Sequence, residues 1–211
     1  MIIIINPNST VAMTDAMVRT ARDTVKDIQI EGWTSLEGPA AIQGPEDGAA
    51  AVAPMLELVK KAVDAGAQAI IIGCFDDIGL AEAREIAPCP VIGIGQAAYH
   101  FAALAGPRFS VVTTLPESVQ VLQDNIQTYG LDKQLVRVRP SGVPVLDLET
   151  DPINACGRVL DEIGVAIAED NVQSVILGCA GMVDISDMAG DDYPVRLIDG
   201  VRAAIQFGAM L

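Results

Sequence analysis

Basic and aromatic side chains are scarce in this chain. Thirteen Lys and Arg stand against 28 Asp and Glu, a formal charge of −15 over 211 residues, and aromatic residues make up 4%. A nucleic-acid surface is excluded, because phosphate contacts need clustered Lys or Arg. The one basic pair at strand spacing, Arg137 and Arg139, flanks Val138 on one face and reads as a solvated edge rather than an anion site. Histidine is nearly absent: His100 lies within a helical stretch, no Gly-x-Ser-x-Gly elbow accompanies it, and a serine-type triad is therefore excluded. Long apolar runs are missing too, since Gly, Pro or charged residues interrupt each one well before the roughly 18 residues that a membrane span requires. Met1 to Ile5 is too short for a secretory core, lacks a basic lead and runs into Asn6-Pro7-Asn8, so a first strand in a cytoplasmic protein is expected. Four cysteines with no Cys-x-x-Cys or zinc spacing give neither a disulfide framework nor a metal site. Cys89, between two prolines, and Cys156, in a helical stretch, read as small buried apolar residues.

What the chain has is apolar material, 51% of it hydrophobic, which is enough for a sizeable core. Short β-branched runs mark strands near 2–6, 28–34, 68–73, 90–93, 109–113, 134–139, 172–177 and 194–198. Helical patterns fill the gaps near 10–26, 47–65, 77–86, 96–105, 117–129, 152–169, 182–189 and 199–209. Such alternation predicts an α/β protein with parallel sheets covered by helices. The series also repeats: Ile3 to Pro7 is answered by Val111 to Leu115, and each half closes with a Pro-Val strand, at Pro90-Val91 and Pro194-Val195. Two similar lobes are therefore expected, each a four-stranded parallel sheet flanked by helices, related by an approximate two-fold axis with the site between them. Residues 1–95 form the first lobe, onto which the C-terminal helix could pack back, and residues 96–211 form the second.

Cys74 in Ile-Ile-Ile-Gly-Cys-Phe and Cys179 in Val-Ile-Leu-Gly-Cys-Ala occupy matching registers almost half a chain length apart. Ligands of parallel sheets bind beyond the carboxyl ends of strands, where Asn6, Cys74, Thr113 and Cys179 fall. A lone Gly-Cys after a strand is most simply packing, but two in register point to facing thiols. Such a pair can take a proton from one face of a stereogenic carbon and return one to the other face, with no cofactor. A predicted helix follows each cysteine closely, so helix N–H groups are expected to lower the thiol pKa and to hold an enolate oxygen.

The Ile-Ile-Asn-Pro-Asn-Ser-Thr stretch at 4–10 with Met13-Thr14, Gly-Cys-Phe-Asp-Asp-Ile-Gly-Leu at 73–80 with Ala83-Arg84-Glu85, and Phe-Ser-Val-Val-Thr-Thr at 109–114 resemble motifs of one family in order. Leu-Gly-Cys-Ala-Gly-Met at 177–182 and Ile-Asp-Gly-Val at 198–201 continue the likeness to the end of the chain. The family is the hydantoin racemase branch of the aspartate/glutamate racemase superfamily, which includes allantoin racemase. That resemblance implies a cofactor-independent, homo-oligomeric racemase in which Cys74 and Cys179 are base and acid, each serving one enantiomer. It assigns substrate contacts to Asn6, to Asn8 and Ser9 of the following loop, to the residues after each cysteine (Phe75, Asp76, Ala180 and Gly181), and to Thr113 and Thr114. Ala180-Gly181 after the second cysteine favours a neutral five-membered ring, such as a 5-substituted hydantoin or allantoin, over a free amino acid.

The chain departs from the family pattern where Phe75-Asp76-Asp77-Ile78-Gly79 replaces Phe-Gly-Asp-Pro-Gly, and where Gln96 replaces a common glutamate. Asp76 either points at the thiol, raising its pKa, or caps the following helix; capping is the expected role. Gly93-Ile94-Gly95-Gln96-Ala97-Ala98 mimics a dinucleotide fingerprint, but Thr113 and Thr114 stand where an acidic residue should close the next strand, so coincidence is expected. The competing functions are an aspartate or glutamate racemase, a maleate-type cis-trans isomerase and a non-catalytic small-ligand module. A decarboxylase of this group needs only one thiol. Phe207, Met210 and Leu211 make the last helix apolar, which suits either core packing or a subunit interface.

Overall fold

A computed structural model of the chain describes residues 1–189 and 193–211. Its first half runs β1 (Ile2–Asn6), α1 (Val11–Thr24), β2 (Ile30–Thr34), α2 (Pro45–Asp64), β3 (Ala69–Ile72), α3 (Leu80–Ile86), β4 (Val91–Gly93) and α4 (Ile94–Ala105). The second runs β5 (Phe109–Thr113), α5 (Glu117–Thr128), β6 (Leu135–Pro140), α6 (Asp147–Thr150), α7 (Pro152–Asp170) and β7 (Ser174–Leu177). A single 3-10 turn (Ala180–Met182), α8 (Ile185–Ala189), β8 (Arg196–Asp199) and α9 (Gly200–Met210) complete it. Two four-stranded parallel sheets result, in the orders β2-β1-β3-β4 and β6-β5-β7-β8. Among the described residues no helix is long and apolar enough to cross a membrane.

The buried β-branched runs explain the sheets. Ile2 to Ile5 and Ala69 to Ile72 expose at most 3% of any residue, as central parallel strands do when helices cover both faces. Alternation then divides the side chains. Ile3, Ile5, Ile70 and Ile72 meet Ala51, Met55, Val59 and Ala62 of α2, while Ile2, Ile4 and Ile71 join α1, α4 and α9 in a core that continues to Val111 and Ile176 of the second sheet. On the far side of that sheet, Val112, Val175 and Leu177 pack on Val159, Ile163 and Ala166 of α7. The last helix returns to the first sheet, where a Cβ added at Gly208 would sit in ordinary contact with Ile2, Ile92 and Ala69.

Pairing gives the repeat its true register. Ile5 pairs with Ile72 as Val112 pairs with Leu177, which makes Thr113 the equivalent of Asn6, one residue away from the motif alignment. Three local expectations are corrected. Helix α3 starts at Leu80 rather than 77, because Asp77 (φ 49°) and Gly79 (φ 61°) adopt left-handed backbone that no helix continues through. A four-residue helix, α6, lies between the strand expected near 134–139 and the helix expected near 152–169, where the sequence pattern marks no element. Arg139 is not a solvated edge: its guanidinium donates to Asp170 at 2.8 and 2.6 Å, to Glu169 at 2.7 Å and to Glu162 at 3.2 Å, buried where the end of α7 covers β6. Arg137 remains half-exposed beside Glu169.

Candidate active site

Each sheet ends its third strand with the same device. Gly73 N–H donates to the Ile5 carbonyl and Gly178 N–H to the Val112 carbonyl, both at 2.8 Å, carrying the ladder one residue past the strand. Neither glycine has room for a side chain: a Cβ would come within 2.7 Å of the Met17 sulfur at Gly73 and within 2.9 Å of Val111 and the Val112 carbonyl at Gly178. The next residue in each case is the cysteine. Its carbonyl accepts from the residue three further on, Asp77 or Met182, at 3.1 Å. Its sulfur accepts from the backbone N–H two residues on, that of Asp76 for Cys74 and that of Gly181 for Cys179.

The two turns meet across one cavity of about 30 Å³, lined by Gly73, Cys74, Phe75 and Asp76 on one side and by Gly178, Cys179, Ala180 and Gly181 on the other. Of the residues anticipated from sequence, Asn8, Phe75, Asp76, Thr114, Ala180 and Gly181 line it with both thiols, whereas Asn6, Ser9 and Thr113 do not. Asn6 is fully buried behind it, its Nδ2 donating to Asn8 Oδ1, Thr10 O and Thr14 Oγ1 at 3.0, 3.1 and 3.0 Å while its Oδ1 accepts from Asn8 N–H at 3.2 Å. Its hydrogen-bonding capacity is used in shaping the loop that presents Asn8. Thr113 Oγ1 donates to the Gly178 carbonyl at 3.1 Å, fastening β5 to the second cysteine turn. Ser9 is held by its backbone, donating to Pro39 at 2.9 Å.

Met13, Ile42, Ser118 and Val145 complete the lining. Met13, Ala41 and Val145 also form a small apolar cluster against Cys179. These residues come from α1, from the loop before α2, from the first turn of α5 and from the loop after β6, and Val145 N–H donates to Gln43 Oε1 at 2.8 Å to join two of those loops. Met13 carried a sequence signal through its motif; Ile42 and Val145 are common residues in connecting segments, and Ser118 is one in the first turn of a helix.

The two adjacent aspartates divide their work against expectation. Asp76 lines the cavity and makes no cap, since the residue preceding α3 is Gly79 and no side chain caps that helix. Asp77 is the cap, but of α4: its carboxylate accepts from Gly95 N–H at 3.1 Å, Gln96 N–H at 2.7 Å and the Tyr129 hydroxyl at 3.0 Å. This explains the mimic of a dinucleotide fingerprint. A Cβ at Gly93 would lie 2.0 Å from Asp77 Oδ1, and one at Gly95 would lie 2.4 Å from the Phe75 carbonyl, so both glycines exist to admit the cysteine loop. His100 sits apart, its Nδ1 2.8 Å from the Gln96 carbonyl.

Burial dominates the electrostatics. It pushes the Cys74 thiol well above its ordinary pKa, helped by Asp76, Asp77 and Cys179, and it pushes Cys179 up to about 12. The expected lowering by a helix start is absent, because α3 begins six residues after Cys74 and only one 3-10 turn follows Cys179; the opposing influence is the single N–H donated to each sulfur. Desolvation also raises Asp76 to about 6 and Asp77 to about 7. No Lys, Arg or His is present among the described residues of the lining.

Comparison with known proteins agrees with this geometry. Residues 2–208 match the family model described as Asp/Glu/Hydantoin racemase. The chain is 42% identical to a hydantoin racemase of Rhizobium meliloti over 99% of its own length and 87% of the relative, and 36% identical to a hydantoin racemase of Pseudomonas sp. (strain NS671), covering 97% and 82%. Among solved structures, the allantoin racemase from Klebsiella pneumoniae superposes with a TM-score of 0.96 at 33% identity, covering 100% of this chain and 86% of the other. A family match over almost the whole chain, a relative above 40% identity and a near-coincident fold agree: the chain belongs to the Asp/Glu/Hydantoin racemase family, as a racemase of its hydantoin and allantoin branch.

Proposed function

We propose that the protein racemises a 5-substituted hydantoin or allantoin by cofactor-independent proton transfer between Cys74 and Cys179. The observation that carries this reading is that the two thiols, one from the strand end of each sheet, line a single cavity together with no cationic side chain among its described residues. Aspartate or glutamate would leave its carboxylates desolvated there without a counter-charge, whereas a neutral ring needs only hydrogen-bond donors and acceptors. Thr114, Ser118, Asn8 and the backbone of the two cysteine turns supply those.

In this mechanism one sulfur is a thiolate and the other a thiol. The former removes the proton from the ring carbon beside a carbonyl, and the latter returns its own proton to the opposite face. Mutual repulsion favours that division, because each thiolate raises the pKa of its neighbour and a second ionisation is suppressed. Raised thiol pKa values also mean that the rate climbs with pH through the neutral range. Ligand clefts run to ~300 Å³ or more, so the walls part to admit a ring. The reading extends to two lobes divided near residue 95 and to a cytoplasmic homo-oligomer, for which the exposed apolar Leu104, Met210 and Leu211 offer contact surface. Racemisation of hydantoins and allantoin in deuterated water is the test. Inversion with deuterium entering at the ring carbon is expected, falling ~10³-fold or more in Cys74→Ala and in Cys179→Ala; inversion persisting in either variant refutes the two-thiol scheme.

A further inference from the structure

We propose that Asp76 is the specificity-determining residue of the cavity, its carboxylate admitting rings with neutral or cationic 5-substituents and rejecting those that carry an anion. The identification of the ligand as a ring rests on the function proposed above; the exclusion of anions rests on the placement and ionisation of this carboxylate and not on what the ligand is. Asp76 is the only acid among the described residues of the lining, which holds no base to balance it. Its carboxylate has no hydrogen-bond or ion-pair partner among the described residues, unlike that of Asp77 immediately after it, which three donors hold. What is engaged is the Asp76 backbone, its N–H toward the Cys74 sulfur and its carbonyl accepting from Asn125 Nδ2 at 2.8 Å, which leaves the side chain for whatever enters. Burial holds this carboxyl near pH 6, so it is ionised at neutral pH.

Within a cavity this small, a second negative charge would lie a few ångströms from the first. Two like charges about 6 Å apart at an effective dielectric near 20 correspond to a discrimination of roughly 10- to 100-fold. The other titratable groups that feel Asp76 are the Cys74 and Cys179 thiols, the Asp77 carboxyl and the Tyr99 hydroxyl. All are neutral or negative near pH 7, so none offsets it.

Charged and neutral alkylating agents of equal size test this without any substrate. Iodoacetate and iodoacetamide both transfer their carbon to a thiolate with loss of iodide, and mass spectrometry reads the products at each cysteine. Partly exposed Cys89, remote from the cavity, serves as the internal reference for the protein's overall negative charge. The iodoacetamide-to-iodoacetate ratio at Cys74 and Cys179 is expected to exceed that at Cys89 by about 10-fold or more. It falls to within about 3-fold of the reference in Asp76→Asn and Asp76→Ser, and also in the native chain below pH 6. A second arm compares turnover of hydantoins bearing isobutyl, aminobutyl and carboxyethyl groups, the last being disfavoured until Asp76 is replaced. An alkylation ratio equal to that of Cys89, or one unchanged in both variants, overturns the proposal whatever the substrate. Failure of every hydantoin to racemise overturns the proposed function while the alkylation ratio still decides the role of Asp76.

Discussion

After Gly73 the chain passes through Cys74, Phe75 and two aspartates and delays its next helix to Leu80; after Gly178 it passes through Cys179 directly into the turn Ala180–Met182. Both turns make the same bonds to the cysteine sulfur and carbonyl, so the shared part is the part that holds the thiol. Beyond the cysteine they diverge. In the first, Phe75 packs edge-on to Tyr99 at 5.5 Å and Asp77 reaches α4, tying the cysteine to the central core. In the second, Met13 from α1 and Ala41 and Val145 from connecting segments close over Cys179. A duplicated scaffold thus keeps its backbone geometry at the two cysteines while each half anchors them with different side chains.

The same divergence appears at the outer strands, and there it sets the largest effect on stability. Pairing places Trp33 of β2 beside Ile5 and Arg139 of β6 beside Val112, so the two are equivalents. Trp33 packs against an apolar cluster; Arg139 is 8% exposed and held by Asp170, which in turn accepts from Ser110 Oγ at 2.7 Å. Asp170→Asn removes the most buried of three acidic partners and leaves the guanidinium to Glu169 and the less exposed Glu162, so it is expected to lower stability to denaturant by on the order of 2 kcal/mol. A loss below about 1 kcal/mol would show the network to be no more than a surface contact.

A smaller effect separates the two acids by the direction in which they respond to pH. Arg139 holds Asp170 below the ordinary carboxylate range, so its contribution is present above pH ~4 and is lost as pH falls through its folded value. Burial holds Asp77 at about 7, so its contribution is present below ~4 and is lost as pH rises through 7. Denaturation midpoints measured from pH 3 to 8 are expected to lose their acid-side fall in Asp170→Asn and part of their neutral-side decline in Asp77→Asn. Equal profiles in both variants would break the distinction.

The strands, the repeat and the cysteine pair were legible in the sequence because each is a local pattern: β-branched runs, glycines at strand ends and matched registers. Long-range partners were not. Helix α4 begins at Ile94, two residues before its pattern suggests, because the cap that admits it comes from Asp77, 17 positions earlier than its start, through a glycine pair that has no such meaning when read alone. Asp76 was expected to cap the nearest helix for the same reason, local adjacency being the only guide a sequence offers. Ile42 and Val145 lie in loops and Ser118 in the first turn of a helix, all of them ordinary residues there, and only the approach of the two cysteine turns to one cavity gives them a role. Arg139 alternates as an exposed strand residue should, and nothing near it in sequence announces the end of α7 that covers it.

The smallest effect concerns the thiols themselves. Cys179 is partly exposed and pushed to about 12, whereas Cys74 is 8% exposed and is raised by burial and then by Asp76, Asp77 and Cys179 together. Iodoacetamide at pH 9 is therefore expected to label Cys179 several-fold faster than Cys74, a difference that Asp76→Asn narrows; labelling of Cys74 first would invert the comparison. The asymmetry has a defined reach in the proposed reaction. Enantiomers of a hydantoin have equal free energy, so kcat/KM must be the same in both directions however unequal the two bases are. A thiolate at Cys179 that forms more readily can change only how each direction divides that ratio, raising kcat and KM together for the hand it deprotonates. Unequal kcat/KM values for the two hands would therefore indict the measurement, while equal kcat and equal KM would show that the two halves, despite their different anchors, present chemically equivalent sulfurs.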